Sequence, residues 1–86
     1  MRDKKLTIAA AITAATSEGW MHEADKTWQG TEQEFASFVR PDDGFTIEVQ
    51  CLDGEPMHLQ ARGGDGTWCG RCDVRSTRKL QAIFAS

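Results

Sequence analysis

The chain has no tyrosine, only two prolines, only two histidines, and an odd number of cysteines, three. Each shortage excludes something. An odd cysteine count argues against the paired disulfide framework of a small secreted domain. With no tyrosine, and with most other aromatics placed in apolar patterns, the chain is poor in platforms for stacking nucleic-acid bases. His22 and His58 alone give little scope for a nucleophile, base and orienting group to converge. No G-x-S-x-G, H-E-x-x-H, Walker or G-x-G-x-x-G string occurs, and Gly63-Gly64-Asp65-Gly66 opens no helix, so it reads as a turn and not as a phosphate cradle. No EF-hand pattern accompanies the turn acids Asp42, Asp43, Asp53 and Glu55. We therefore expect no enzyme. No stretch approaches the ~20 apolar residues of a membrane span.

What is present fits one domain, residues 1–86, with 40% hydrophobic and 27% charged residues. A domain of this size buries roughly 60–65% of its unfolded surface, enough for one core with little margin. The net charge of −3 is unevenly spread. Glu18 to Pro56 holds ten acids against Lys26 and Arg40, a local −8, whereas Met57 to Ser86 holds Arg62, Arg71, Arg75, Arg78 and Lys79 against Asp65 and Asp73, a local +3. Such polarity steers partners. Arg2 to Lys5 before the short apolar run Leu6 to Ile12 loosely imitates a signal peptide. The run is rich in alanine, a strong helix former, so an amphipathic helix explains it more simply and a cytoplasmic protein is expected.

Periodicity places the elements. Asp3 to Thr16 predicts a helix with Ile8, Ala11 or Ile12, and Ala15 on one face. Trp20 to Gln29 reads two ways: as a helix, Trp20, Ala24 and Trp28 stack at i, i+4, i+8, and as a strand, Trp20, His22, Ala24, Lys26 and Trp28 share a face. With no β-branched run to support a strand, a short or irregular helix is expected. Thr31-Glu32-Gln33-Glu34 reads as a capping box, followed by Phe35, Phe38 and Val39 at helical spacing, so a helix is expected to Arg40 and to stop at Pro41. Phe45–Leu52 and Met57–Arg62 then alternate apolar and polar residues, Thr67–Arg75 fits a third strand, and Ser76 or Thr77 caps a closing helix bearing Leu80, Ile83 and Phe84. The turns Asp42-Asp43-Gly44, Asp53-Gly54-Glu55 and Gly63 to Gly66 join neighbours. The expected fold is α+β: N-terminal helices, a three-stranded antiparallel meander and a C-terminal helix. Phe45, Ile47, Val49, Cys51, Met57, Leu59, Ala61, Trp68, Gly70, Cys72 and Val74 should face the helices. Thr46, Glu48, Gln50, His58, Gln60, Arg62, Cys69, Arg71, Asp73 and Arg75 should form a polar outer face.

The string Trp68-Cys69-Gly70-Arg71-Cys72 points three ways. It resembles the active-site motif of thioredoxin-like oxidoreductases, and the resemblance implies a low-pKa thiol at the head of a long helix, a βαβ unit and a cis-proline beyond it. Here both prolines lie upstream and fourteen residues follow Cys72, which leaves that fold incomplete. As half of a metal site, Cys69 and Cys72 would join Cys51 and His58 as four N/S ligands of zinc, although the faces of Cys51 and His58 differ. As plain strand residues, Cys51 and Cys72 would be small buried hydrophobes and Cys69 a partly exposed thiol. No cofactor is expected on the third reading.

By elimination we expect a non-enzymatic macromolecule-binding protein. In composition it resembles the compact, acidic inhibitors and adaptors of phages and mobile elements, anti-CRISPR proteins among them. Its partner would be a protein with a basic surface, one that otherwise holds nucleic acid, met by Glu32, Glu34, Asp42 and Asp43 with Trp20 and Trp28 as anchors. Self-association through an exposed sheet edge or the alanine-rich helix fits the same reading. The alternatives are a zinc-stabilised nucleic-acid module using Arg62, Arg71, Arg75, Arg78 and Lys79, and a Cys-x-x-Cys redox protein.

Overall fold

The computed structural model describes residues 6–30, 33–52, 56–65 and 68–85. Among these lie two helices and six strands, an α+β arrangement. Helix α1 spans Ile8–Ser17, β1 Met21–His22, a 3-10 turn Ala24–Lys26, β2 Trp28–Gln29, β3 Gln33–Val39, β4 Thr46–Leu52, β5 Met57–Arg62, β6 Trp68–Val74 and α2 Thr77–Ala85. The four long strands form an antiparallel meander in the order β3-β4-β5-β6, and β1 and β2 lie end to end along the outer edge of β3.

The expected strands and closing helix are present, and the sheet extends beyond them. The segment expected as a capped helix, Thr31 to Arg40, instead contains β3, which pairs over its whole length with β4, from Gln33↔Leu52 to Val39↔Thr46. Thr31 and Glu32 lie outside the described residues. Phe35, Phe38 and Val39 suit a helix stripe, but they suit a central strand with apolar groups on both faces equally well. Long-range pairing decides between them, since it satisfies the backbone of β3 on both edges. The Trp20–Gln29 segment likewise runs as β1, a single 3-10 turn and β2. One N-terminal helix is described, not several.

Helix α1 starts at Thr7, whose hydroxyl accepts the Ala10 N–H at 3.3 Å. It ends in a Schellman pattern, with Gly19 N–H to Thr16 carbonyl at 3.1 Å and Trp20 N–H to Ala15 carbonyl at 3.0 Å. That closure delivers Trp20 into the core. Ile8, Ala11, Ala14 and Ala15 are buried, so the small-residue face is turned inward. Helix α2 is capped by Ser76, whose hydroxyl accepts the Lys79 N–H at 3.2 Å, and it buries Leu80 and Phe84.

Both helices cover one face of the sheet. The core joins Ile8, Phe38, Val49, Leu80 and Phe84, all at most 2% exposed, to Ile47, Met57, Leu59 and Val74. Each large side chain fully buried there contributes roughly 1.5–3 kcal/mol. Trp20 fastens the layers together. Its indole N–H donates to the Phe84 carbonyl at 2.8 Å, and its ring meets Phe84 and Phe45 edge-on at 5.3 and 6.3 Å. The Arg40 guanidinium lies 5.3 Å above the same ring.

At one end of the sheet two turns touch. A Cβ on Gly64 would lie 2.2 Å from the carbonyl oxygen of Asp43, so the β5–β6 turn presses its backbone against the β3–β4 turn.

Candidate interaction surface

No described element covers the face away from the helices, and the strand register lays this open face out. One rung runs Trp28–Phe35–Gln50–His58–Asp73 and another Glu48–Gln60–Arg71, with Ser37 beside Glu48. Met21 lies beside Val39 at the far end of β3. Apart from Leu52 at the end of β4, polar residues thus occupy this face of β4 and β5 and positions 71 and 73 of β6, and the edge along β3 carries apolar groups at Phe35 and Val39. Met21 is 58% and Trp28 56% exposed, the large hydrophobic side chains left in solvent among the described residues.

An acidic step separates the two apolar ones. Ser37 is buried because Glu23 folds over it, its hydroxyl donating to Glu23 Oε1 at 2.7 Å while Glu23 N–H donates to the Ser37 carbonyl at 2.9 Å. Lys26 lies 3.5 Å from the other Glu23 oxygen. Across Ser37, Glu48 accepts from Arg62 Nε at 3.4 Å. The His22 ring, on the helix side, stacks on Phe38 at 5.3 Å, and its Nε2 lies 2.6 Å from the Thr27 hydroxyl, which donates to the Glu23 carbonyl at 3.0 Å. These contacts hold the 3-10 turn at the sheet edge and fix the spacing of Met21 and Trp28. Further along the face, His58 Nδ1 and Asp73 Oδ1 are 2.6 Å apart beside a depression of about 420 Å³ lined by Phe35, Glu48, Gln50, Gln60 and Arg71.

The sequence-derived candidates are distributed unevenly over the molecule. Trp20 is a core residue at 5% exposure and is no surface anchor, whereas Trp28 is in solvent. Glu34 is half-buried on β3, Asp42 and Asp43 are exposed in the turn after it, and Glu32 lies outside the described residues. Asp43 is engaged locally: Arg40 Nε and Nη2 donate to its carboxylate at 3.1 and 2.8 Å, and Phe45 N–H donates at 3.0 Å. Met21 was not among the candidates, because nothing in a lone methionine before a histidine signals exposure. Arg62 and Arg71 occupy the open face, while Arg75 follows β6 and Arg78 and Lys79 are exposed on α2, across the sheet. The basic residues therefore do not share one face.

The Arg40 hydrogen bonds, with help from the Phe45 N–H, hold the Asp43 carboxyl below its ordinary value of 3.8. A depressed folded-state pKa contributes stability that is present above the unfolded value and lost as pH falls through the folded one. Asp43→Asn should therefore be less stable than wild type at pH 7, and the gap should close as pH drops below about 4. Urea unfolding at pH 7 and in steps toward pH 2 reads it directly, and a gap that persists unchanged at the acid end counts against this pairing.

The cysteine string has a structural explanation. Strand register shifts by one residue between Ala61↔Gly70 and Arg62↔Trp68, so Cys69 falls between rungs, and Gly70 takes φ of 142°. That φ is open to glycine and costly for other residues, which makes Gly70 the glycine of a β-bulge. The bulge also puts position 68 on the rung of Arg62, not on the helix-side rung that simple alternation predicts. Cys72 is an exposed free thiol in mid-strand, where no helix N-terminus is at hand to activate it, and it is not the buried residue expected. Cys51 is buried on the helix side of β4, whereas His58 is on the open face, so the proposed four-ligand set is not brought together. No group of three or more His, Cys, Asp or Glu among the described residues is placed to hold a metal ion. No helix among them is long and apolar enough to cross a membrane. No protein-family model, curated protein or solved structure matches the chain.

Proposed function

We propose that this protein is a non-enzymatic binding module that captures a protein with a basic surface through the open face of its sheet. The observation that carries the reading is the exposure of Met21 and Trp28 at two points along one sheet edge with acids between them. Tryptophan and methionine are enriched in the desolvated centres of interfaces, and large apolar side chains left in solvent beside partly buried ones mark contact sites. Phe35 and Val39 extend the apolar steps inward. Glu23 and Glu48 lie between them, and a lysine or arginine flanked by apolar groups on the matching surface would compete with Lys26 and Arg62 for these carboxylates. The acidity of Glu18 to Pro56 speeds encounter with such a surface. An inhibitor that occupies a basic site otherwise used by nucleic acid, as in the mobile-element proteins it resembles in composition, is the role this chemistry fits best.

The test uses wild type, Trp28→Ala and an Arg78→Ala control as baits in extract of the source cells, with bound proteins quantified by mass spectrometry. One partner should be recovered equally by wild type and Arg78→Ala. It should be about tenfold poorer with Trp28→Ala, a loss typical of one interface hot spot. Its recovery should fall as salt rises from about 0.1 to 0.5 M, through charge screening. Undiminished capture by Trp28→Ala sinks the reading.

A further inference from the structure

Among the described residues the last strand of the sheet, β6, pairs with β5 on one side only, and the sheet order ends there. No described strand pairs with its outer edge, and Arg71, Cys72 and Asp73 are all exposed along it. An edge of this kind is a template for another strand. The side chains on it specify which strand.

Consider β6 meeting a second copy of itself, antiparallel, about a two-fold axis normal to the sheet. One residue then lies opposite its own counterpart, and the rest follow in fixed pairs. With Arg71 on the axis, two guanidinium groups face each other. With Asp73 on the axis, two carboxylates face each other and Arg71 meets Arg75. With Gly70 on the axis, Arg71 falls opposite Cys69 and gains no charge partner. With Cys72 on the axis, Arg71 of each copy falls opposite Asp73 of the other, twice, and no like charges meet. Directly opposed residues in an antiparallel pair lie roughly 4.5–5.5 Å apart, within ion-pair reach, and opposite charges there stabilise while like charges destabilise. Asp73 has an oxygen to spare, since His58 takes only Oδ1. Arg71 has no ion-pair partner among the described residues. Val74 would lie opposite Gly70, whose missing side chain leaves it space.

We propose that the protein forms a symmetric dimer by antiparallel pairing of β6 about Cys72, giving one continuous sheet across both copies with reciprocal Arg71–Asp73 pairs on the open face. This does not depend on the partner-binding role of Trp28, which lies at the opposite edge of the sheet. The pairing also puts the two exposed Cys72 thiols side by side on the helix side.

Sedimentation of the full chain over a concentration range tests it. Wild type should show a monomer–dimer equilibrium. Arg71→Asp and Asp73→Arg should each raise the dissociation constant about tenfold or more, because each puts like charges opposite one another twice. The double variant Arg71→Asp/Asp73→Arg should restore it. That rescue separates edge pairing from any general effect of surface charge, and circular dichroism confirms that each variant is folded. A short bis-maleimide, which adds one thiol across each of its two double bonds, should link wild-type copies at Cys72, and Cys72→Ser should not be linked. A monomer at all concentrations overturns the proposal. So does a dimer indifferent to the single reversals, or one that the double variant does not regain.

Discussion

Trp20→Ala should lower the unfolding free energy by about 3–5 kcal/mol, the range for deleting a buried large aromatic. A domain of 86 residues has about 4–13 kcal/mol in total at typical stability per residue, so this one change removes a large share of it. Three losses coincide in that one change. The cavity opens between α2 and the sheet, where the ring now meets Phe84 and Phe45. The buried Phe84 carbonyl loses its donor, an unsatisfied group that costs about 1–3 kcal/mol in its own right. Arg40 loses the ring face beneath its guanidinium. Trp20→Phe retains most of the packing and isolates the hydrogen bond, so it should fall between wild type and Trp20→Ala. Trp28→Ala, by contrast, removes a side chain already in solvent and should change stability by no more than about 0.5 kcal/mol. Urea melts of the three variants decide it. Equal effects at positions 20 and 28 would mean that the indole of Trp20 is not where the layers are joined.

Gly64→Ala is expected to be the most damaging substitution that adds a single carbon. The new Cβ would stand 2.2 Å from the Asp43 carbonyl oxygen and 3.4 Å from its carbon. The obstacle is backbone, so no rotamer change relieves it. The β3–β4 turn must move, and it is tied on its other side by Arg40 and Phe45, whose backbones are bonded at 2.7 Å. Overpacking of this kind costs about 1–3 kcal/mol, or a melting temperature lower by roughly 5–20 °C in a domain this small. Scanning calorimetry reads the shift, and amide chemical shifts from Arg40 to Phe45 should move with it. If the melting temperature is unchanged and those amides stay still, the two turns are not in contact.

How far the sequence could be read follows from which forces are local. Met57–Arg62 is read to the residue because a strand with one wet face alternates by necessity, and its bounding turns are written in Asp, Gly and Pro. Helix α2 announces itself through Ser76 and through Leu80 and Phe84 one turn apart. β3 is where the reading fails. Glu34, Phe35, Phe38 and Val39 satisfy the local rules of a helix start, and only the presence of β4 on one side and of β1 and β2 on the other makes them a strand. That information lies in distant segments, as the pairing of Gln33 with Leu52 shows. The candidate surface has the same limit. Trp20 and Trp28 look alike in a string of letters, and their fates differ because the turn after α1 points one of them inward. The glycine in the cysteine string carried a chemical suggestion, yet its conformation answers to the register with Ala61 and Arg62.

The broken strand along β3 has a further consequence. Its two pieces have two residues each and are separated by a 3-10 turn pinned through Glu23 and Thr27. Such a margin gives an incoming chain too few consecutive amides to zip onto. Among the described residues the sheet thus has one border that runs unbroken from Gly70 to Val74, past the bulge, and one that is interrupted. Assembly through the unbroken border uses it up on both sides at once, and the interrupted border cannot begin another round. Growth halts at a pair, and the route to an endless fibril is closed by the same turn that sets the tryptophan in solvent.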